Sequence, residues 1–262
     1  MHHYLLKGEC VTGKCVDSSS PPFFLSSATV ISQQDSLMDM TGLKGIAGID
    51  EAGRGPMIGP MLICGVLTDS ARLSELKRIG AKDSKTLSHT RRLKLKGKIE
   101  KIATKIEIRM VTAADIDKLR KRMTLNEIEV AEFVAIVKKL KPQKVYLDAA
   151  DVKADRFGEK IASLSGLGSK GAVIISEHKA DSKYPIVSAA SIIAKVERDR
   201  VISDYHKKYG DFGSGYPSDP KTVDFVRELV RNSKRLPPIV RKSWDSVRKI
   251  VDDETTEQST LV

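Results

Sequence analysis

The chain has 262 residues, of which 40% are hydrophobic and 30% are charged, as expected of a globular protein with one large domain or a domain with an appendage. No apolar run approaches the roughly 18 residues needed to span a bilayer, so a membrane protein is excluded. The formal net charge of +11 favours an acidic polymer as partner, nucleic acid above all, although a generally basic surface without a ligand would give the same number.

The cysteines are Cys10, Cys15 and Cys64. An odd count without a second pair argues against a disulfide framework and against a zinc site. Cys64 lies in an apolar segment and is interpreted as a small buried residue. We therefore expect a cytoplasmic protein, and we expect it to be a monomer.

Residues 1–42 differ from the rest of the chain in their low periodicity and their serine-proline stretch at 18–22. They are interpreted as a disordered or artefactual N-terminal extension, with Met38 or Met40 as alternative first residues. A signal peptide is disfavoured because no convincing cleavage site follows the apolar segment.

From Leu43 onward the pattern becomes regular. Apolar runs and alternation predict strands at 45–50, 58–67, 105–111, 144–148 and 171–176. Helical periodicity predicts helices at 71–79, 88–103, 124–140, 156–163 and 187–209, followed by two helical patterns within 217–251 that Pro237-Pro238 separates. Thr124 and Glu127 have the spacing of a capping box, and Gly210 is placed to end the long helix.

This order of elements predicts an α/β fold with a mixed sheet. We divide the chain into a catalytic domain at 43–210, a C-terminal helical substrate-binding region at 211–251 and a flexible tail at 252–262.

Four carboxylates occupy strand ends. Asp50 and Glu51 end the first strand, Asp148 ends a later one, and Asp181 follows another. Each alone could be a capping or solvated residue, but several acids that converge at one sheet edge repel one another unless a cation neutralises them. Oxygen ligands without cysteine favour Mg²⁺ or Mn²⁺, and two such ions can hydrolyse a phosphodiester.

The segment Gly48-Ile49-Asp50-Glu51-Ala52-Gly53-Arg54-Gly55-Pro56 resembles the opening motif of type 2 ribonuclease H, ribonuclease HII, in its archaeal form. The resemblance continues in order along the chain, through Asp83-Ser84-Lys85, Tyr146-Leu147-Asp148-Ala149, Glu177-His178-Lys179-Ala180-Asp181, 187–195 and Gly213-Ser214-Gly215-Tyr216-Pro217. It spans about residues 44–250 and leaves out the N-terminal extension.

The resemblance implies a ribonuclease H-like mixed sheet flanked by helices, with a C-terminal helical extension. It implies an enzyme that cleaves the RNA strand of RNA–DNA hybrids and incises duplex DNA 5′ of embedded ribonucleotides, leaving 5′-phosphate and 3′-hydroxyl ends. By motif position, the metal-binding catalytic acids would be Asp50, Glu51, Asp148 and Asp181.

The resemblance also implies substrate-binding residues. Gly53-Arg54-Gly55, called the GRG turn below, would contact the ribose 2′-hydroxyl, and Tyr216 would pack on the next deoxyribose. A site built to bind a hydroxyl rejects the analogue that lacks it strongly, so this assignment is chemically coherent. Ser84 and Lys85 match a motif that grips a phosphate, although the same residues could simply begin a helix.

Several other residues keep two interpretations. His178 could be a general base or form a structural hydrogen bond, and Lys195 is expected to pack its stem and solvate its head. A basic cluster could track the duplex backbone or be ordinary solvated helix surface: Arg227, Arg231, Lys234, Arg235, Arg241 and Lys242. Gln258 and Leu261 have the spacing of a sliding-clamp peptide without its aromatic pair, which indicates chance and leaves the clamp a weakly supported partner.

Two other functions would each explain part of the sequence. A dinucleotide-binding oxidoreductase would use the glycines at 53, 55 and 59, but their spacing is wrong and an apolar strand follows where a helix should begin. A non-catalytic nucleic-acid-binding module would explain the charge and would leave the four acids unexplained.

Overall fold

A five-stranded mixed sheet forms the centre of the protein. The computed structural model describes residues 42–81, 87–233 and 235–260. The strand order is β3-β2-β1-β4-β5, with β1 antiparallel to β2 and parallel to β4. The strands are β1 Ile46–Ala52, β2 Met61–Thr68, β3 Lys105–Val111, β4 Lys144–Asp148 and β5 Val173–Glu177. The predicted α/β fold with a mixed sheet is therefore confirmed.

Helices cover both faces of this sheet. They are α1 Leu73–Arg78, α2 His89–Ile102, α3 Ala113–Leu119, α4 Leu125–Leu140, α5 Ala154–Ser165, α6 Ala180–Lys183, α7 Pro185–Tyr209, α8 Pro220–Asn232 and α9 Asp245–Thr260. The sequence predicted most of them to within a few residues at each end and missed the two short helices α3 and α6. None of the helices within the described ranges is both long enough and apolar enough to cross a membrane.

Local signals explain where the principal helices begin and end. The Thr124 side chain accepts a hydrogen bond from the Glu127 amide and the Glu127 side chain reaches back, which confirms the capping box at the start of α4. Lys141 ends α4 in the left-handed region with φ 52°, and Gly210 ends α7 with φ 84°. The ends of α4 and α7 are therefore set locally.

Two apolar layers flank the sheet. Helices α4 and α5 pack on one face, where the Phe133 and Phe157 rings meet edge to face at 5.1 Å. Helix α7 crosses the other face over β1 and β2, beside α1 and α2. Gly48 permits this approach, because a Cβ there would lie 2.5 Å from the Ile186 carbonyl carbon and the Val187 nitrogen. The start of α7 is thereby held against β1 next to Asp50.

The C-terminal region builds a third apolar cluster on the segment that follows the GRG turn. Met57 and Ile58 are fully buried there, together with Phe212 and Val240. A β-bridge joins Ile58 to Val240, and the Met57 amide donates to the Gly215 carbonyl at 2.8 Å. Residues 211–251 therefore pack directly behind the turn.

The sequence indicated a flexible tail from residue 252, but helix α9 continues to Thr260. Glu254 explains this difference. It is 3% exposed and accepts hydrogen bonds from the Arg231 guanidinium of α8, one of them at 3.0 Å. An acid that looks solvated in the sequence thus ties α9 to α8.

Candidate active site

Three aspartates converge at the carboxyl ends of the parallel strands. Asp50 lies on β1, Asp148 ends β4 and Asp181 lies in α6, directly after β5. Each offers a carboxylate oxygen within 4.8 Å of the others, an arrangement that could hold a metal ion. Backbone groups orient the cluster, because the Ala180 amide donates to Asp148 at 2.9 Å and the Glu51 amide donates to Asp50 at 2.7 Å.

Glu51 lies beside this group. The sequence placed the strand end at Asp50, but β1 continues to Ala52, so Asp50 and Glu51 pair with successive residues of β2. Successive strand residues point to opposite faces. Glu51 nevertheless remains close enough for Asp50 and Asp148 to affect its ionisation, and its Oε2 is buried without a hydrogen-bond partner among the described residues.

Burial and mutual repulsion raise the pKa values of Asp50 and Glu51 and so disfavour their ionisation. Burial, followed by the charge of Asp148, raises the pKa of Asp50 to about 6. Burial, followed by the charges of Asp50 and Asp148, raises the pKa of Glu51 to about 8. A site that supplies only carboxylate oxygens, two of whose acids resist ionisation, is suited to a hard divalent cation, which would offset the repulsion.

Two residues of α7 also act on Asp50, and the sequence did not identify either as part of the site. The Lys195 ammonium lowers the pKa of Asp50 through its charge, and Ser191 lowers it through a hydrogen bond. Lys195 also donates to the Ser191 hydroxyl. Lys195 is partly buried and lines the cleft, and the expectation of a packed stem with a solvated head left out its contacts with Ser191 and Asp50.

The GRG turn is held from behind by Arg241. This side chain is fully buried, and its guanidinium donates to the carbonyls of Gly53, Arg54 and Gly59, the last two at 2.7 Å and 2.9 Å. Trp244 donates from its indole nitrogen to the Gly55 carbonyl at 3.2 Å, and its ring lies 4.7 Å from the Arg241 guanidinium carbon. All three carbonyls of the turn are therefore bonded to the C-terminal segment.

These bonds determine what the turn presents to the cleft. In a planar trans peptide, the N–H of one residue points opposite to the C=O of the residue before it. Because the Gly53 and Arg54 carbonyls point at Arg241, the amides of Arg54 and Gly55 point away from it. The turn thus offers two fixed N–H donors, and the left-handed φ of 83° at Gly53 makes glycine the residue suited to its first position.

The Arg54 side chain turns away from these donors. It donates to the Asn126 amide oxygen at 2.6 Å and pairs with Glu129, which is completely buried within α4. A buried carboxylate is costly unless it is paired, so Glu129 fixes the Arg54 guanidinium against the start of α4. The Arg54 side chain is therefore held by α4, and the backbone amides of the turn are left unoccupied by it.

Tyr216 stands opposite the turn. Its ring is the nearest group to a Cβ built at Gly55, at 3.8 Å, and the Arg198 guanidinium carbon lies 5.1 Å from the ring centre. Arg198 is 8% exposed and also packs under Gly53, where a Cβ would meet its Cδ at 2.7 Å. One buried arginine on α7 thus contacts both the turn and the tyrosine.

The GRG turn, Glu51 and Tyr216 line one cleft of about 320 Å³. Its walls also include the cationic side chains Arg92, Lys195 and Arg198. Ser84 and Lys85, which the sequence also placed in the site, lie outside the described residues. His178 is exposed and donates from Nε2 to the Val152 carbonyl at 3.1 Å, as in its structural interpretation.

The predicted basic cluster is dispersed by the fold. Arg241 neither tracks a duplex nor lies on a solvated helix face, because it is buried behind the GRG turn. Arg227 and Arg231 face the buried Glu254 of α9, and Lys234 lies outside the described residues. A fully buried arginine has the same sequence signature as a surface arginine, so the pattern alone could not separate them.

Comparison with known proteins agrees with this arrangement. A family model described as ribonuclease HII matches residues 47–247. The ribonuclease HII of Pyrococcus furiosus is 47% identical over 218 residues, which are 82% of this chain and 95% of the relative. The crystal structure of ribonuclease H2 from Pyrococcus horikoshii OT3 is 46% identical and matches 80% of this chain and 98% of its own with a TM-score of 0.74.

A third similar protein is the ribonuclease HII solved in complex with PCNA from Archaeoglobus fulgidus. It is 43% identical, with a TM-score of 0.71 over 77% of this chain and 95% of its own. The oxidoreductase hypothesis fails on the fold, because the GRG turn leads into the antiparallel strand β2 and not into a helix. The family acts on the RNA strand of RNA–DNA hybrids. This chain belongs to the ribonuclease HII family and is an endoribonuclease of the ribonuclease H type.

Proposed function

We propose that this enzyme, besides cleaving the RNA strand of hybrids, incises duplex DNA on the 5′ side of a single embedded ribonucleotide. The observation that carries this proposal is the adjacency of two groups on one stretch of chain. Asp50 and Glu51 lie at the end of β1, and the fixed N–H donors of Arg54 and Gly55 follow within a few residues. Recognition of a ribose and hydrolysis of its 5′ phosphate are thereby coupled.

We propose Asp50, Glu51, Asp148 and Asp181 as the metal-binding catalytic acids. Oxygen-only donors fit Mg²⁺ or Mn²⁺, and the clustering of the three aspartates supports a site for such ions. When bound, two divalent ions would lower the pKa of an attacking water and stabilise the charge on the leaving oxygen. Lys195, by favouring ionised Asp50, would keep that carboxylate available as a ligand.

The chemistry is a phosphodiester hydrolysis. Oxygen from water forms the new bond to phosphorus, and the bond from phosphorus to the 3′ oxygen of the preceding nucleotide breaks. The leaving oxygen takes up a proton, so the products carry a 5′-phosphate on the ribonucleotide and a 3′-hydroxyl on the DNA before it.

Ribose recognition is assigned to the GRG turn and Tyr216. The 2′-hydroxyl distinguishes a ribonucleotide sugar from its DNA counterpart, and the inward-tied carbonyls leave the Arg54 and Gly55 amides to face it. The Tyr216 ring beside Gly55 would pack on the following deoxyribose, where an added hydroxyl would not fit. Ser84 and Lys85 remain proposed phosphate contacts.

The direct test uses duplex DNA with one ribonucleotide and an all-DNA duplex of the same sequence as matched substrate. With Mn²⁺ or Mg²⁺ we expect one cut on the 5′ side of the ribonucleotide, none in the all-DNA duplex and none in a chelator. Asp148→Asn should still bind the substrate in a gel-shift assay and should not cut it. If the unaltered protein cleaves a long hybrid and leaves the single-ribonucleotide duplex intact, the proposal is wrong.

We also propose a sliding clamp as a second partner. The support is the Archaeoglobus fulgidus relative, whose structure was solved with PCNA. Gln258 lies in the last turn of α9, and Leu261 lies outside the described residues. Co-elution of the full chain with a purified clamp is the expected result, and separate elution would contradict the proposal. Deletion of residues 258–262 should leave co-elution unchanged, because the spacing of Gln258 and Leu261 indicates chance.

A further inference from the structure

A cluster of cations adjoins the GRG turn on the side away from the acids. It consists of Lys118, Arg120, Lys121 and Lys242, here called the basic face, which line one depression with the start of α9. The three lysines form no ion pair with any residue in the described ranges. Arg120 lies over the Trp244 ring, with its guanidinium carbon 5.5 Å from the ring centre.

Specific contacts hold together the two chain segments that form the basic face, one around α3 and the other around Lys242. The carboxylate of Asp117 on α3 accepts from the backbone amides of Lys242 and Ser243, each at 2.9 Å. The Arg120–Trp244 contact adds a second link between the same segments. Since Trp244 also bonds to the Gly55 carbonyl, the basic face is held in a fixed position relative to the GRG turn.

Neighbouring acids neutralise this face only in part. Asp117 accepts from two backbone amides and Asp115 belongs to the capping box that begins α3, and both carboxylates keep their negative charge. The Asp245 side chain pairs with Arg248. The four cations therefore outnumber the two unneutralised acids, and a net positive potential faces solvent.

The surface is continuous from the cleft to the basic face. The cleft that holds Glu51 and Tyr216 shares Arg54 and Gly55 with a second depression, which is also bounded by Arg120 and Trp244. That second depression shares Arg120 and Ser243 with the depression that the basic face lines. A polymer that enters the cleft can therefore continue along this path, past Asp245, whose charge is offset by Arg248.

We propose that the basic face binds backbone phosphates of the duplex on one side of the embedded ribonucleotide. This inference rests on the proposed function, because it assumes that the ribonucleotide occupies the GRG turn. Lysines act on phosphates as point charges, so the contacts add affinity and register without reading sequence. The one-sidedness is the distinctive feature, since the face adjoins only one end of the turn.

The test compares two duplexes that carry one ribonucleotide, either near the 5′ end or near the 3′ end of its strand. The variant is Lys118→Gln/Lys121→Gln/Lys242→Gln. Its matched control is Lys138→Gln/Lys139→Gln/Lys170→Gln, which removes the same charge from exposed lysines remote from the cleft. Affinity is measured in chelator across a range of salt concentrations, and incision with Mn²⁺ is measured in parallel.

We expect the first variant to lose affinity for one of the two duplexes only. The slope of log affinity against log salt should become shallower on that duplex by about three, roughly one for each phosphate-bound lysine. On the other duplex, which lacks the flank that reaches the basic face, the variant should match its control. Equal losses on both duplexes, or no loss on either, overturn the inference.

The two proposals fail in different ways. If the unaltered enzyme incises neither duplex, the proposed function fails. If it incises both and the first variant binds both as tightly as the control does, the ribonucleotide activity stands and the basic face serves another purpose.

Discussion

In the acidic half of the site, Asp50, Asp148 and Asp181 bring like charges together in a largely buried place. In the other half, the GRG turn is tied down by hydrogen bonds from Arg241 and Trp244. The first arrangement costs folding free energy and the second contributes it. The acids are arranged for a charge that the protein itself does not supply. The turn is arranged to remain rigid, because a misplaced donor would lose its discrimination.

The largest expected effect on activity comes from Asp50→Asn, which should abolish cleavage and stabilise the metal-free fold at the same time. Removing a buried charge beside Asp148 relieves repulsion, so the metal-free protein should gain on the order of 1 kcal/mol, while detectable cleavage is lost. Thermal melts in chelator and incision assays with Mn²⁺ measure the two effects. A variant that is both inactive and less stable would contradict the electrostatic interpretation of this half.

Substitution of Arg241 should disrupt the other half, the GRG turn. Arg241→Met leaves buried carbonyls of the GRG turn unpaired and should destabilise the protein by roughly 3–5 kcal/mol. Arg241→Lys keeps a charge without the planar donor set, so it should fold better and still position the turn poorly. Arg235→Met is the matched control, because Arg235 is exposed and forms no ion pair within the described ranges, so its substitution should cost within about 0.5 kcal/mol.

Activity on two substrates separates the role of Arg241 in positioning the GRG turn from its contribution to folding stability. Well below its melting temperature, Arg241→Lys should lose more activity on a single embedded ribonucleotide than on a long hybrid, and Tyr216→Ala should shift the same ratio. Repeated ribonucleotides offer many registers for productive binding, whereas a single one requires an accurate turn. An unchanged ratio in both variants would show that neither residue supports ribose recognition.

The same contrast explains what the sequence could predict. Asp50, Asp148 and the GRG turn were identifiable because a strand pattern stops beside each of them, and strand ends determine where they meet. The role of Arg241 was not, because burial of a cation depends on contacts with carbonyls about 180 positions earlier in the chain. Lys195 was missed for a related reason, since its direction depends on the rotation of α7 allowed by Gly48.

Short or unusual elements account for the remaining differences. Helix α3 is only one and a half to two turns long, too short for a clear period, yet its Asp117 anchors the C-terminal segment. Glu129 lies mid-helix and resembles a solvated acid, and only the approach of Arg54 explains its complete burial. Both depend on tertiary contacts that local patterns do not encode.

The smallest expected effect is the dependence of folding stability on pH that Asp50 and Glu51 cause in the acidic half. The pKa values of Asp50 and Glu51 in the folded protein, about 6 and about 8, lie above the usual carboxyl values of 3.8 and 4.5. The folded state therefore binds protons that the unfolded state releases. The corresponding stability is fully present below the unfolded values and is lost as the pH rises through about 6 and then about 8.

The measurement is the melting temperature of the metal-free protein against that of Asp50→Asn/Glu51→Gln across this range. The unaltered protein should fall progressively below the variant as the pH rises, by roughly 2–4 °C for each kcal/mol lost. Because surface acids with lowered pKa values titrate identically in both proteins, the difference isolates the acidic half. Divalent cations should close the gap at high pH by neutralising the same carboxylates, and a gap that is independent of both pH and metal would assign the strain elsewhere.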